Sequence, residues 1–260
     1  MKKILLVMLC AMIVFVFAAC NNFTSVDPTR GDNIDANIGE EVKNQEDEKV
    51  GKYDNIEQNP VVTMTMENGG TVKFELYPKY APQTVENFVQ LVNSGFYNGL
   101  TFHRLIPSFV AQGGDPKGDG TGGSEKNIFG EFELNGFENE LSHDVGVISM
   151  ARAKDYNSAS SQFFIVTSEE AKQSLDGQYA GFGKVIEGME TVYEIVNSEV
   201  IRKDYSAEFY SAYASAGGQI VIGTDLYEQY MKETLEIDRP INPPVIKEMT
   251  VETFGVDYGA

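Results

Sequence analysis

Tryptophan is absent from the chain, and cysteine and histidine occur only twice each. So small a stock argues against a Cys/His zinc centre or an iron–sulfur cluster, and it excludes a disulfide-stapled fold. Basic residues are also scarce. Twenty Lys+Arg stand against 39 Asp+Glu, for a formal net charge of -19. Nucleic acid is therefore not an expected partner, because phosphate neutralisation needs clustered Lys and Arg. An anionic membrane surface would repel the chain as well. There is no Gly-x-Ser-x-Gly elbow, no Walker loop, no His-Glu-x-x-His and no dinucleotide fingerprint. Asp115 and Asp119 lack EF-hand spacing. No metal and no cofactor are expected. What remains is a chain of 260 residues, 42% hydrophobic, whose 16 Phe and 13 Tyr supply the bulk that tryptophan does not.

The first segment reads as targeting sequence. Lys2 and Lys3 precede an apolar run from Ile4 to Cys20 that is short for a membrane span. Phe17-Ala18-Ala19-Cys20 is similar to a bacterial lipobox. The expectation is a lipoprotein signal peptide over 1–19 and a lipid anchor on Cys20, placing the protein outside the cytoplasm on the bacterial cell membrane. Residues 20–59 are polar, acidic and poor in aromatics, with runs such as Glu46-Asp47-Glu48, and read as a disordered tether.

From 60 onward the pattern is that of a folded domain, taken to extend over 60–255. Val61–Met66 and Thr71–Leu76 alternate as strands, and Asn68-Gly69-Gly70 between them is a hairpin signal. A helix is predicted over 81–93, with Pro82 near its start and Gly95 past its end. Short apolar runs separated by glycine-rich turns follow, then a second helix near 189–197 and a last strand near 245–253. Many short strands with such turns suggest a sandwich or a closed barrel. The segment 200–242 breaks this pattern and reads as a helical insertion rich in tyrosine.

The chemistry-bearing stretch is Phe102-His103-Arg104-Leu105-Ile106-Pro107-Ser108-Phe109-Val110-Ala111-Gln112-Gly113-Gly114-Asp115. It resembles the signature segment of the cyclophilins, prolyl cis/trans isomerases. Gly120-Thr121-Gly122-Gly123, Ser149–Ala153, Ser161–Ile165, Leu175-Asp176-Gly177 and Phe182–Val185 resemble further motifs of that family, in order. The resemblance covers about 60–200 and the last strand. It implies a mainly β fold: a closed eight-stranded antiparallel barrel capped by two helices, here with the helical insertion before the last strand. It also implies peptidyl-prolyl isomerisation without a cofactor.

By position, the resemblance makes Arg104 the catalytic donor, with Gln112 orienting it. Phe109, Val110, Phe164 and Leu175 would wall a proline pocket. Gln162 would orient the arginine and the substrate backbone, and Ala151, Arg152 and Ala153 would lie along the bound peptide. Tyr179 stands where the family usually has His. Ser174 stands where many members have Trp or Phe, which implies weak cyclosporin binding. His103 and His143 read as hydrogen-bonded structural residues. The expected partners are proline-containing unfolded or exported polypeptides. Two other readings share these residues: a chaperone that binds proline segments, and a surface adhesin on the same fold.

Overall fold

A computed structural model describes residues 51–201, 204–221 and 224–259. The signal segment, Cys20 and the tether up to residue 50 lie outside the described residues. Eight strands form one antiparallel sheet: β1 (Val61–Met66), β2 (Thr71–Leu76), β3 (Thr101–Ile106), β4 (Val110–Asp115), β5 (Val147–Met150), β6 (Phe163–Val166), β7 (Gly181–Glu187) and β8 (Ile246–Glu252). Their order is β3-β4-β6-β5-β7-β2-β1-β8. In β1, Val62, Met64 and Met66 are buried while the residues between them are half-buried. Period-two alternation thus sends one side chain set into the core and leaves the other toward solvent. At the β1–β2 turn, Gly69 takes φ +89° and the Asn68 side chain accepts from Gly70 N at 3.0 Å, a local bond that favours the turn.

The sheet is open, not closed as expected, and curls into a half-barrel. β3 and β8 are its two ends and share no ladder. They touch through an isolated bridge, Thr101–Val245, and through bonds such as Phe102 N to Pro244 O at 2.9 Å. Pro243 and Pro244 lead into β8, and neither has an N–H to donate. A continuous ladder cannot run through them.

Helix α1 (Pro82–Asn93) packs Val85, Phe88, Val89 and Val92 on the sheet. Its N-terminus is capped from afar. The buried Glu131 carboxylate accepts from Gln83 N at 2.9 Å and from Thr84 N at 2.8 Å, satisfying donors that the first turn leaves open. A one-turn helix α2 (Lys172–Leu175) and helix α3 (Met189–Val196) follow. The 200–242 segment carries α4 (Ala207–Ser215) and α5 (Asp225–Glu236). Tyr205, Phe209, Tyr230 and Ile237 form a small core there, separate from the barrel. Its neck is paired backbone: Ile201 N donates to Arg239 O at 2.7 Å and Ile241 N to Glu199 O at 2.9 Å.

Order also starts before residue 60, so the tether expected over 20–59 is corrected at its C-terminal end. Tyr53 is buried, stacks on Tyr258 with ring centroids 5.0 Å apart, and donates to Glu86 at 2.6 Å. An aromatic ring and a carboxylate partner give 51–59 enough to pack against.

Candidate active site

Arg104 owes its direction to a bulge. The β3–β4 register shifts between Phe102 and Arg104. Strict alternation would put Arg104 on the same side as Phe102, in the core. With the extra residue, Phe102 and Leu105 both enter the core and Arg104 faces the outer side. There its Nη1 donates to Gln112 Oε1 at 3.4 Å. Gln112 Nε2 donates to Gln162 Oε1 at 2.9 Å, and Gln162 Nε2 donates to the carbonyls of Gly120 (3.1 Å) and Gly122 (2.7 Å). One chain of amides thus ties the guanidinium to the glycine loop. Asp115 holds that loop by accepting from Lys117 N, Asp119 N and Gly120 N at 2.8, 3.1 and 2.6 Å.

The same outer face carries an apolar patch. Cross-strand partners share a face, and Gln112 pairs with Phe164 and Val110 with Val166. Phe163 and Ile165 point into the barrel core instead. Val110, Phe164, Leu175 and Tyr179 belong to one buried cluster, with Phe109 and Ala151 half-buried against it. Tyr179 meets Phe164 edge-on at 5.6 Å. Arg152 lies over the rings of Tyr179, Phe132 and Tyr156 at 4.8, 5.0 and 5.0 Å, and its Nε donates to Gln178 O at 3.1 Å. Its charge is therefore held on the pocket rim by ring faces. Ala151 N donates to Gln162 O at 2.9 Å and Ala153 N to Ser158 Oγ at 2.9 Å. Arg104, Gln112, Gln162, Phe109, Val110, Phe164, Leu175, Tyr179, Ala151 and Arg152 thus lie on or beside one face, whereas Ala153, among the described residues, is tied only to Arg152 and Ser158; Cys20 is outside the described residues.

Three further groups bear on the site. His143 stacks on Phe164 at 6.2 Å, between Asp176 Oδ1 (2.9 Å from Nδ1) and Ser149 Oγ (3.0 Å from Nε2). Nδ1 facing a carboxylate carries the proton, so Nε2 accepts from the serine. Burial lowers the His143 pKa. His103 differs from expectation: it is buried, neither ring nitrogen makes a hydrogen bond of good geometry among the described residues although the Gln162 amide is a polar neighbour, and burial pushes its pKa down to about 4. The third group was not foreseen. Asp238, from the neck of the insertion, places Oδ2 4.0 Å from Arg104 Nε. Sequence carries no signal for it, because it is distant in the chain and belongs to no motif.

Thr234 and Ile237 join Arg104, Gln112 and Gly120 around a cavity of about 10 Å³. A larger one, about 470 Å³, lies among Tyr53, Tyr77, Tyr80 and Lys184 and includes none of the predicted residues. Among the described residues no group of three or more His, Cys, Asp or Glu could hold a metal ion, and no helix is long and apolar enough to cross a membrane.

Comparisons with known proteins point to one family. The family described as cyclophilin type peptidyl-prolyl cis-trans isomerase/CLD matches residues 61–212. The chain is 48% identical over 139 residues to peptidyl-prolyl cis-trans isomerase B of Bacillus subtilis, covering 53% of this chain and 92% of that one. It is 36% identical over 175 residues to a putative peptidyl-prolyl cis-trans isomerase of Staphylococcus saprophyticus, covering 57% and 87%. A crystal structure of a Cryptosporidium parvum cyclophilin type peptidyl-prolyl cis-trans isomerase superposes with TM-score 0.55 at 30% identity, over 75% of this chain and 98% of that one. The same protein crystallised in the presence of the dipeptide Ala-Pro gives 0.54, again at 30% identity, over 74% and 98%.

Proposed function

The chain belongs to the cyclophilin-type peptidyl-prolyl cis-trans isomerases, and we propose that it turns X–Pro bonds by aiming the Arg104 guanidinium at the proline nitrogen. Rotation about a peptide bond is resisted by amide resonance, a barrier of ~18–20 kcal/mol. No bond is made or broken. As the C–N bond twists, the nitrogen pyramidalises and regains its lone pair. A fixed donor aimed at that lone pair binds the twisted amide better than either planar form. A guanidinium stays protonated throughout and suits this role. The uncatalysed step takes ~10–100 s. A turnover of ~10–10³ s⁻¹ then needs ~10³–10⁵-fold acceleration, or ~4–7 kcal/mol.

The observation that carries this reading is the amide chain from Arg104 through Gln112 to Gln162, running beside the Val110–Phe164–Leu175–Tyr179 cluster. The cluster takes the proline ring and keeps water from the twisting amide. Phe109 closes its rim, and the Ala151–Arg152–Ala153 segment runs along the peptide. Ser174 ties its hydroxyl to Ala171 O at 3.0 Å and offers no large side chain to a cyclic peptide, which supports weak cyclosporin binding. The signal-like segment before Cys20 supports clients among exported, proline-containing polypeptides, met by a lipid-anchored enzyme outside the cytoplasm.

The test is cis/trans exchange in an X–Pro tetrapeptide, followed by NMR so that no coupling protease is needed. The wild-type protein should accelerate exchange, and Arg104→Ala, folded by circular dichroism, should lose about 10²–10³-fold in kcat/KM. An Arg104→Ala protein with wild-type rate would refute the arginine mechanism. If wild type itself does not accelerate exchange while binding the peptide, the pocket acts as a binding module.

A further inference from the structure

The insertion reaches back to the arginine. Asp238 Oδ2 lies 4.0 Å from Arg104 Nε, while Gln112 Oε1 lies 3.4 Å from Nη1. One hydrogen bond and one ion-pair contact, on different nitrogens of one planar group, both bias its orientation. Both charged side chains are largely withdrawn from water, 13% exposed for Arg104 and 18% for Asp238. Screening between them is correspondingly weaker than at the surface.

Asp238 is itself placed with care. Its carbonyl accepts from Leu105 N at 2.7 Å, the residue after the arginine. Backbone bonds bracket it, Ile237 N to Glu233 O at 2.9 Å before and Ile201 N to Arg239 O at 2.7 Å after. Its φ is +65°, a left-handed conformation that Asp adopts more readily than most residues other than glycine. Thr234 and Ile237, from the end of α5, complete the wall beside the arginine.

We infer that Asp238 is a positioning residue for isomerisation, supplied by the insertion, which holds the Arg104 guanidinium at the angle from which it meets the proline nitrogen. The inference rests on the arginine mechanism proposed above. Asp238 touches the arginine and acts through it. Its effect falls on the twisted state, where the angle of the donor matters, more than on ground-state binding of the peptide.

Asp238→Asn is the discriminating variant. Asparagine keeps the shape and tolerates the left-handed backbone, so the change is confined to the charge and to one acceptor oxygen becoming an amide NH2. The full chain, Asp238→Asn and Arg104→Ala are compared on an X–Pro tetrapeptide by NMR exchange, with the Arg104 Nε–Hε resonance followed in parallel. The expected result is a loss of about tenfold in kcat with KM within about twofold, together with a shift of that resonance. An Asp238→Asn protein as fast as wild type or faster, beside an inactive Arg104→Ala, overturns the positioning role and leaves the arginine mechanism standing. A loss confined to KM, with the resonance unmoved, also overturns it. An active Arg104→Ala removes the mechanism and the inference together.

Discussion

His103 directly precedes Arg104, and burial keeps it neutral. In the unfolded chain its pKa is near the ordinary 6.5; in the fold, burial holds it at about 4. Below pH 6.5 the unfolded state takes up a proton that the folded state refuses. Stability is therefore complete above 6.5 and falls as pH drops toward 4. His143, also lowered by burial, adds to the same trend. Urea unfolding from pH 4 to 7 should show this loss, and His103→Gln should flatten it relative to wild type. Gly114 offers a second residue-scale test. Its φ is +82°, and a Cβ there would sit 2.5 Å from Ser161 O and 3.0 Å from the Phe163 ring. Gly114→Ala should cost about 2–4 kcal/mol by urea titration, because neither backbone nor ring can move aside.

At the scale of the element, the insertion is a unit with its own neck. Val200 bridges Pro240, and backbone bonds join Ile201 to Arg239 and Ile241 to Glu199. Its aromatic cluster is separate from the barrel core. Replacing 202–238 by an Asn-Gly turn should therefore leave a folded barrel, with Tm within about 5 °C of wild type in calorimetry. The same deletion removes Asp238 together with Thr234 and Ile237 from beside Arg104, so its turnover should fall at least to that of Asp238→Asn. The bulge in β3 is the converse case, an element feature that sequence alternation hides. One extra residue turns Arg104 out of the core.

At the scale of the whole molecule, the two ends of the described chain meet on α1. Tyr53 stacks on Tyr258, Tyr53 and Lys52 reach Glu86 at 2.6 and 2.8 Å, and Gln90 donates to Tyr258 O at 2.9 Å. A fragment starting at Val61 should be less stable in urea than one starting at Gly51 by about 2–4 kcal/mol, because it leaves Glu86 buried without its tyrosine and uncovers the Tyr258 ring. The β3 edge, which closure of the barrel would have covered, is instead occupied by chain from 238 to 245.

The strand alternation of β1 and β2 and the helix signals of α1 are local, and periodicity and turn chemistry made them legible in the sequence; the arginine-to-glycine motif was legible only through its resemblance to a family. Periodicity alone does not tell Phe163 from Phe164; the family resemblance singled out Phe164. Pairing with Gln112 is what puts Phe164 on the outer face and its neighbour in the core. The openness of the sheet, the packing of 51–59 and the approach of Asp238 to Arg104 belonged to tertiary structure alone. Each joins residues far apart in the chain, and no local propensity encodes which distant carboxylate, ring or edge a group will meet once the backbone has folded.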